Sequence, residues 1–110
     1  MKANPKIKNI KNLTEILQKL KKKNKRIILC HGVFDLLHLG HIRHLKDAKN
    51  KGDYLVVSIT KDEFIKKGFN RPVFNTKERS LSIAALEDVD YVCESPAADA
   101  IQVIKNLKPN

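Results

Sequence analysis

Two short apolar runs place the strongest constraint on how this chain of 110 residues folds. Residues 27–30 and 54–59 are apolar at nearly every position, which is typical of strands that are buried on both faces. Between the two runs, Ile42, Leu45 and Ala48 recur at helical spacing. A strand, a helix and a second strand of this kind form a βαβ unit, whose strands are parallel and whose crossover is right-handed.

Capping signals place the remaining helices. Asn12 with Glu15, and Asn75 with Glu78, resemble capping boxes in which Asn replaces the usual Ser or Thr. Ser95 reads as the cap of the last helix, with proline following at the first helical position. We predict strands over residues 26–31, 53–60 and 91–93, helices over residues 13–22 and 40–50, a helical turn over residues 62–65, a helix that begins at Asn75, and a last helix that buries Ala100, Ile101, Ile104 and Leu107.

The order of these elements predicts an α/β fold. Because strands and helices alternate, we expect a Rossmann-like open parallel sheet with helices on both faces. We expect a single domain over residues 1–110, with a basic leader helix in residues 1–25 and the α/β core in residues 26–110. Ligands of such sheets bind beyond the carboxyl ends of the strands, so the polar residues that follow each strand are the candidates for a site.

Positive charge is concentrated at the start of the chain. The formal net charge is +10, and residues 1–26 contain ten Lys or Arg residues against the single acid Glu15. A basic segment of this kind can bind RNA or another anionic surface. However, no aromatic residue lies among the lysines to stack on bases, so the solvated face of a packed helix is the alternative that we favour, and a nucleic-acid partner is not expected.

Compartment and cysteine chemistry follow from composition. No apolar run approaches the roughly 18 residues of a membrane span, and the first residues lack the apolar core of a secretory signal. We therefore expect a cytoplasmic protein that does not associate with membranes. Cys30 and Cys93 lie far apart in apolar segments, which favours buried free thiols over a disulfide or a metal site.

The residues after the first strand carry the most informative motif. Gly32 provides a turn, and His38, Gly40 and His41 then form a His-x-Gly-His sequence where the next helix should begin. Histidines three positions apart share one face of a helix, and His44 extends that row by a further turn, although it is more typical of a solvated helix face. Glycine at position 40 leaves the backbone bare, which allows a ligand to approach closely.

Three kinds of chemistry are open to these histidines. Zinc binding lacks a neighbouring carboxylate or cysteine at a familiar ligand spacing. Nucleophilic catalysis lacks an accessible nucleophile, since Cys30 lies in a buried strand. The third is phosphate binding, in which imidazole N–H groups and the backbone N–H groups of a helix start hold several oxygens, and this suits phosphoryl or nucleotidyl transfer.

Residues 32–43, Gly-Val-Phe-Asp-Leu-Leu-His-Leu-Gly-His-Ile-Arg, resemble the signature of the cytidylyltransferase-like nucleotidyltransferases. The resemblance extends over nearly the whole chain and includes both the glycerol-phosphate cytidylyltransferase and the heptose-phosphate adenylyltransferase branches. It implies the HIGH-motif type of nucleotidyltransferase fold. It also implies transfer of CMP or AMP from a Mg²⁺-bound nucleoside triphosphate to a phosphorylated sugar or polyol, with release of pyrophosphate.

The resemblance further implies roles for individual residues. His38 and His41 would contact the triphosphate, while Asp35 would brace the turn by accepting local N–H groups. Asp35 as a simple turn former and Arg79 as a surface ion pair are the plainer alternatives. The remaining implied residues are Gly32, Val33, Phe34 and Gly40 along the nucleotide, Asp62 at the end of the second strand, Lys66 or Lys67 as the loop lysine that neutralises phosphate charge, and Arg79 as the arginine of the third helix.

The C-terminus departs from the family pattern. After Pro109 and Asn110, the family continues into another strand and a Ser/Thr-rich segment over the nucleotide phosphates. We therefore expect these 110 residues to lack the last strand and the closing segment, and an incomplete sheet edge would favour a homodimer. Two other functions are retained as alternatives: a non-catalytic nucleotide-binding or assembly module of the same fold, and an RNA-binding protein that uses the basic leader.

Overall fold

The structure, a computed structural model, describes residues 4–65 and 73–110. Its strands are β1 (Ile27–Gly32), β2 (Tyr54–Thr60) and β3 (Tyr91–Ser95), and its α-helices are α1 (Ile10–Lys22), α2 (Leu39–Lys49), α3 (Thr76–Ala84) and α4 (Ile101–Leu107), with a short 3₁₀ turn at Asp62–Phe64. Within the described residues, the strands form one parallel sheet in the order β1-β2-β3. Ile27 pairs with Tyr54, and Val56 pairs with Tyr91, so β2 lies in the centre.

Helices cover both faces of the sheet, which confirms the predicted Rossmann-like class. Successive strand residues point to opposite faces, and each face has its own core. One core joins the strands to α2 and α3, and consists of Leu45, Ala48, Leu55, Val57, Ile59, Ile83, Ala84, Val89 and Val92. The other joins them to α1 and α4, and consists of Leu13, Leu17, Ile27, Val56, Cys93, Val103 and Leu107. Each fully buried Leu, Ile or Val contributes roughly 1.5–3 kcal/mol.

Both cysteines are free thiols, as the sequence predicted. Burial raises the pKa of the Cys93 thiol to about 12, with a smaller contribution from the charge of Glu94. Burial also raises the pKa of Cys30, although the neighbouring Lys51 works in the opposite direction. Burial thus disfavours the thiolate at both positions.

The basic leader is a packed helix. Leu13 and Leu17 of α1 are buried to 1% exposure or less, while the last turn carries Lys19, Lys21 and Lys22. Lys21 donates to the carbonyl oxygens of Leu107 and Lys108 at the end of α4. The apolar stripe of this segment thus belongs to the core. No helix among the described residues is long and apolar enough to cross a membrane.

Residues from the two ends of the described chain pair with the two edge strands. Lys8 N–H donates to the Val92 carbonyl at 2.9 Å, and Val92 N–H donates to the Lys6 carbonyl at 2.9 Å, beside β3. At the other edge, Asn110 N–H donates to the carbonyl of Ile27, whose own N–H donates to the Asn110 side chain. The Tyr54 N–H of β2 donates to the carbonyl of Arg26, the residue before Ile27. Because polar groups alternate along a strand, Asn110 lies on the side of β1 opposite to β2.

Two predicted helix starts are wrong. The cap of α1 is Asn9, whose side chain accepts from the N–H of Asn12, so the helix begins at Ile10, three residues before the predicted start at residue 13. Ser95 is the last residue of β3 and does not cap α4, because its hydroxyl donates to the carbonyls of Ala97 and Asp99. These bonds keep residues 96–100 out of the helix, which begins at Ile101.

The face that α4 buries also differs from the prediction. Ile101 and Ile104 are 58% and 49% exposed, whereas Val103 and Leu107 are buried. In contrast, α3 has the predicted capping box, in which Asn75 and Glu78 each accept the other's backbone N–H.

Candidate active site

The two histidines of the motif lie together over the first turn of α2. His38 is the cap residue, and its Nδ1 accepts a hydrogen bond from Gly40 N–H at 3.0 Å. His41 Nδ1 accepts from the backbone N–H of His38 at 3.2 Å. The rings stack with their centroids 3.9 Å apart and their planes 27° apart. The pair thus forms a reciprocal capping box built from imidazoles.

This arrangement fixes the tautomer of both rings. A backbone N–H can only donate, so each Nδ1 must be unprotonated, and a neutral imidazole then carries its proton on Nε2. His38 and His41 therefore each direct an Nε2–H donor away from the cap. The backbone N–H groups and the positive end of the α2 dipole lie at the same helix start. The arrangement is suited to an anion with several oxygens, such as a phosphate chain.

Gly40 is required by the ring of His38. A Cβ atom at this position would lie 2.8 Å from His38 Cε1 and 3.0 Å from its Nδ1, which is closer than van der Waals contact allows. Any larger residue would displace the ring from the helix start. Glycine at position 40 therefore allows the imidazole to cap the helix, in addition to leaving the backbone bare.

Phe34 has a strained backbone in the turn before the histidines. Its φ of 52° is in the left-handed region, which costs a non-glycine residue on the order of 1–3 kcal/mol. The ring covers Gly32, where a Cβ atom would lie 2.8 Å from Phe34 Cε2. The same ring meets His41 edge to face, at a centroid distance of 5.5 Å. The strained turn thus places an aromatic wall beside the second imidazole.

Asp35 joins this turn to the start of α3. Its carboxylate accepts hydrogen bonds from the backbone N–H groups of Val73 and Phe74, both at 2.9 Å, and it is 8% exposed. These partners are 38 and 39 residues away in sequence, so the bracing role extends well beyond the local turn that we predicted. The sequence offered no signal for Val73 and Phe74 as partners.

Arg79 lies beneath the same turn. Its side chain has 0% exposure, so the interpretation of a surface ion pair is wrong. The guanidinium donates to five oxygens, which are the carbonyls of Val33, Thr60 and Phe74, Oδ1 of Asp62 and Oγ1 of Thr76. These oxygens belong to the segment after β1, the segment after β2 and the start of α3. Arg79 is thus a brace that links three segments at the carboxyl ends of the strands. This edge of the sheet is called the rim below.

Asp62 completes this brace. Its backbone N–H donates to Thr76 Oγ1 at 3.0 Å, and the N–H of Thr76 donates to Asp62 Oδ2 at 3.1 Å. Partial burial alone would raise the pKa of Asp62, but the hydrogen bonds from Arg79 and Thr76 outweigh it and hold the pKa below its usual value. Thr76 is a site residue that the sequence reasoning missed, because its partner lies in another segment.

The other candidates are placed as follows. Gly32 ends β1, and Val33 turns its carbonyl towards Arg79. His44 is exposed on α2, as expected for a solvated helix face. Lys66 and Lys67 lie outside the described residues. Among the residues that the structure describes, no three His, Cys, Asp or Glu side chains are grouped so that they could hold a metal ion.

Comparison with known proteins shows the family of the chain. The family described as cytidylyltransferase-like matches residues 29–110, well over half of the chain. Curated relatives include the bifunctional protein HldE of Geobacter metallireducens, 38% identical over 109 residues, and that of Campylobacter jejuni, 39% identical over 105 residues. These alignments cover 97% and 94% of this chain but only 22% and 23% of the relatives, so the chain spans about a fifth of their length.

A solved structure has the same fold. The lipopolysaccharide core biosynthesis protein from Thermoplasma volcanium is 34% identical, with a TM-score of 0.71 over 77% of this chain and 70% of that one. The family match over residues 29–110 includes most of β1, the histidine turn, β2 and β3. The chain belongs to the cytidylyltransferase-like family of nucleotidyltransferases.

Proposed function

We propose that this chain transfers a nucleoside monophosphate, CMP or AMP, from a nucleoside triphosphate to a phosphorylated sugar or polyol, and releases pyrophosphate. The observation that carries the proposal is the pair of stacked imidazoles, His38 and His41, whose Nδ1 atoms accept the N–H groups of the start of α2, so that each neutral ring carries its N–H donor on Nε2. The names of the relatives support a sugar phosphate as acceptor, since one solved relative is a lipopolysaccharide core biosynthesis protein.

The reaction needs positioning more than it needs a base. An oxygen of the acceptor phosphate attacks the α-phosphorus of the nucleotide, the bond from that phosphorus to the bridging oxygen breaks, and the electron pair leaves with pyrophosphate. The second pKa of a phosphate monoester is about 6, so the attacking oxygen is already ionised at neutral pH. The Nε2–H groups of His38 and His41 would donate to the phosphate oxygens where negative charge builds up in the transition state.

Magnesium would enter with the nucleotide. The described donors around the histidine pair are N–H groups, which suit anions, and Asp62 already accepts bonds from Arg79 and Thr76. These residues do not fit a resident Mg²⁺ ion, which prefers carboxylate oxygens and substrate phosphates. We therefore treat the Mg²⁺ complex of the triphosphate as the substrate. Lys66 and Lys67 stay predictions from the sequence.

Measurement of pyrophosphate release and of nucleotide binding tests the proposal. The chain is incubated with CTP or ATP and a panel of sugar phosphates, and nucleotide affinity is measured separately by calorimetry. We expect His38→Ala and His41→Ala each to lower nucleotide affinity roughly tenfold or more, as is typical for the loss of a hydrogen bond to a charged group. His44→Ala removes an exposed histidine of the same helix and is the matched control, with a change below about twofold.

The possible results separate the alternative functions. Tight nucleotide binding without pyrophosphate release from any acceptor would favour the non-catalytic module. Retention of full affinity in both His38→Ala and His41→Ala would contradict the assignment of the site. Binding of RNA that is lost when residues 1–26 are deleted, together with no affinity for nucleotides, would favour the RNA-binding alternative.

A further inference from the structure

A third histidine of the rim, His31, is held by one ring nitrogen only. It is the penultimate residue of β1, and its Nδ1 lies 2.7 Å from the hydroxyl of Ser58 on β2. Ser58 is fully buried. A bond of this length to a buried group fixes the plane of the ring. If the Ser58 hydroxyl donates to Nδ1, the proton of the neutral imidazole is on Nε2.

The other nitrogen has only weak partners. His31 Nε2 lies 3.4 Å from the carbonyl oxygen of Ala98 and 3.4 Å from Oγ1 of Thr60. Both distances exceed the usual range of a hydrogen bond to nitrogen, about 2.7–3.2 Å. His31 is half-buried, and Ala98 is exposed. An oriented ring with a weakly bonded nitrogen at the rim can exchange these contacts for a ligand at small cost.

The fold places this nitrogen at the position where open α/β sheets bind ligands. His31 shares its face of β1 with Ile27 and Leu29, which pack in the core that contains α4, whereas α2 packs on the opposite face. The chain leaves β1 towards β2 on one side, and Asn110, which follows α4, pairs with Ile27 on the other side. The carboxyl end of β1 therefore has the start of α2, with the histidine pair, on one face of the sheet and His31 on the other, at the edge where ligands of open α/β sheets bind.

We propose that His31 binds a hydroxyl group of a sugar ring through Nε2. A ligand hydroxyl placed here can accept a hydrogen bond from His31 Nε2 and donate one to the carbonyl of Ala98, so the two groups match both halves of a hydroxyl. This inference rests on the proposed nucleotidyl transfer, which supplies two possible sources of the hydroxyl: the ribose of the nucleotide and the sugar of the acceptor.

The variant His31→Ala tests the proposal, with His44→Ala as the control that also removes one imidazole. Affinities for ATP and CTP are compared with those for their 2′-deoxy and 3′-deoxy analogues, and KM is measured for the sugar-phosphate acceptor. If the ribose is bound, His31→Ala weakens nucleotide binding about fivefold to tenfold and abolishes the preference for the ribonucleotide over one deoxy analogue. If the acceptor sugar is bound, nucleotide affinity is kept and the acceptor KM rises by a similar factor.

A second variant keeps the test valid if His31→Ala does not fold correctly. Ser58→Ala removes the anchor of the ring but leaves the imidazole, so it should give the same change as His31→Ala at smaller size, with circular dichroism confirming the fold. Unchanged nucleotide affinity, deoxy preference and acceptor KM in both variants would overturn the proposal. If His41→Ala still loses nucleotide binding in the same titrations, only the role of His31 fails. If the parent chain binds no nucleotide at all, both the proposed function and this inference fail.

Discussion

The rim of the sheet contains two groups of nitrogen donors that differ in accessibility. His38 and His41 use their Nδ1 atoms as acceptors at the helix start, so each neutral ring carries its N–H donor on Nε2. Arg79, on the same rim, is fully buried and directs its donors to carbonyls and side chains of the protein. The comparison shows that the positive charge of an arginine does not by itself make it a phosphate ligand. An arginine can bind a phosphate only if its donors are not already used in hydrogen bonds within the protein.

Replacement of Arg79 should have the largest effect on stability. Arg79→Met leaves the partly buried carbonyl of Val33 and the buried carbonyl of Thr60 without their donor, and each unsatisfied group costs about 1–3 kcal/mol. We expect the free energy of unfolding to fall by about 3 kcal/mol or more, as measured by urea denaturation. Arg43→Ala removes an exposed arginine of α2 and should change it by less than about 0.5 kcal/mol.

A second substitution, Arg79→Lys, tests whether Arg79 differs from the histidines in its role. Arg79→Lys keeps the charge but not the planar fork of donors, so it should remain destabilised and should weaken nucleotide binding only through the loops. A lysine variant with parent-like stability but lost nucleotide affinity would show that the guanidinium group of Arg79 acts on the ligand directly. That result would place Arg79 with the histidines.

Gly40→Ala should have an intermediate effect and should separate affinity from stability. The added Cβ would collide with the ring of His38, so the ring must leave the helix start. Alanine is a better helix former than glycine by about 1 kcal/mol, which offsets the loss of the cap. We expect a change in thermal stability of a few degrees at most, together with a severalfold loss of nucleotide affinity. Unchanged affinity would mean that the position of the His38 ring is not important for binding.

The smallest expected effect is the loss of stability at low pH that arises from Asp62. Its pKa is lowered in the folded state by the hydrogen bonds from Arg79 and Thr76, after the opposing effect of burial. The stabilisation is thus present above the unfolded pKa of about 3.9 and is lost as the pH falls through the lowered folded pKa. Because the side chain is 41% exposed, the contribution should stay below about 1 kcal/mol.

Urea unfolding between pH 7 and pH 2 measures this effect. Asp62→Asn should be less stable than the parent chain at neutral pH, and the difference should shrink towards pH 2. Asp47→Asn, which changes an exposed carboxylate of α2, serves as the control. A constant difference between Asp62→Asn and the parent over the whole range would show that the charge of Asp62 does not contribute to the brace.

The sequence predicted those features that depend on near neighbours. The capping box of Asn75 and Glu78 depends on residues three apart, and the buried strands on uninterrupted apolar runs, so both were found. The start of α4 was predicted wrongly, because Ser95 is a residue type that often caps helices, but its hydroxyl donates to carbonyls of the loop before the helix.

The predictions for the site divide in the same way. The histidine pair was recognised from its spacing, but its use of Nδ1 atoms as helix caps depends on ring orientation, which spacing does not show. The partners of Arg79 include the carbonyls of Val33 and Thr60, which are 46 and 19 residues away. Contacts over such distances arise from the sheet topology, and no local pattern in the chain indicates them.

The buried thiol of Cys93 provides a chemical probe of local opening in this fold. Its side chain lies in the core between the sheet and the helices α1 and α4, and its pKa of about 12 keeps it protonated at neutral pH. A thiol reagent can react there only when α1 or α4 separates from the sheet, so the labelling rate of Cys93 reports the frequency of that opening. The rate would register loosening of this packing even in variants whose average structure is unchanged.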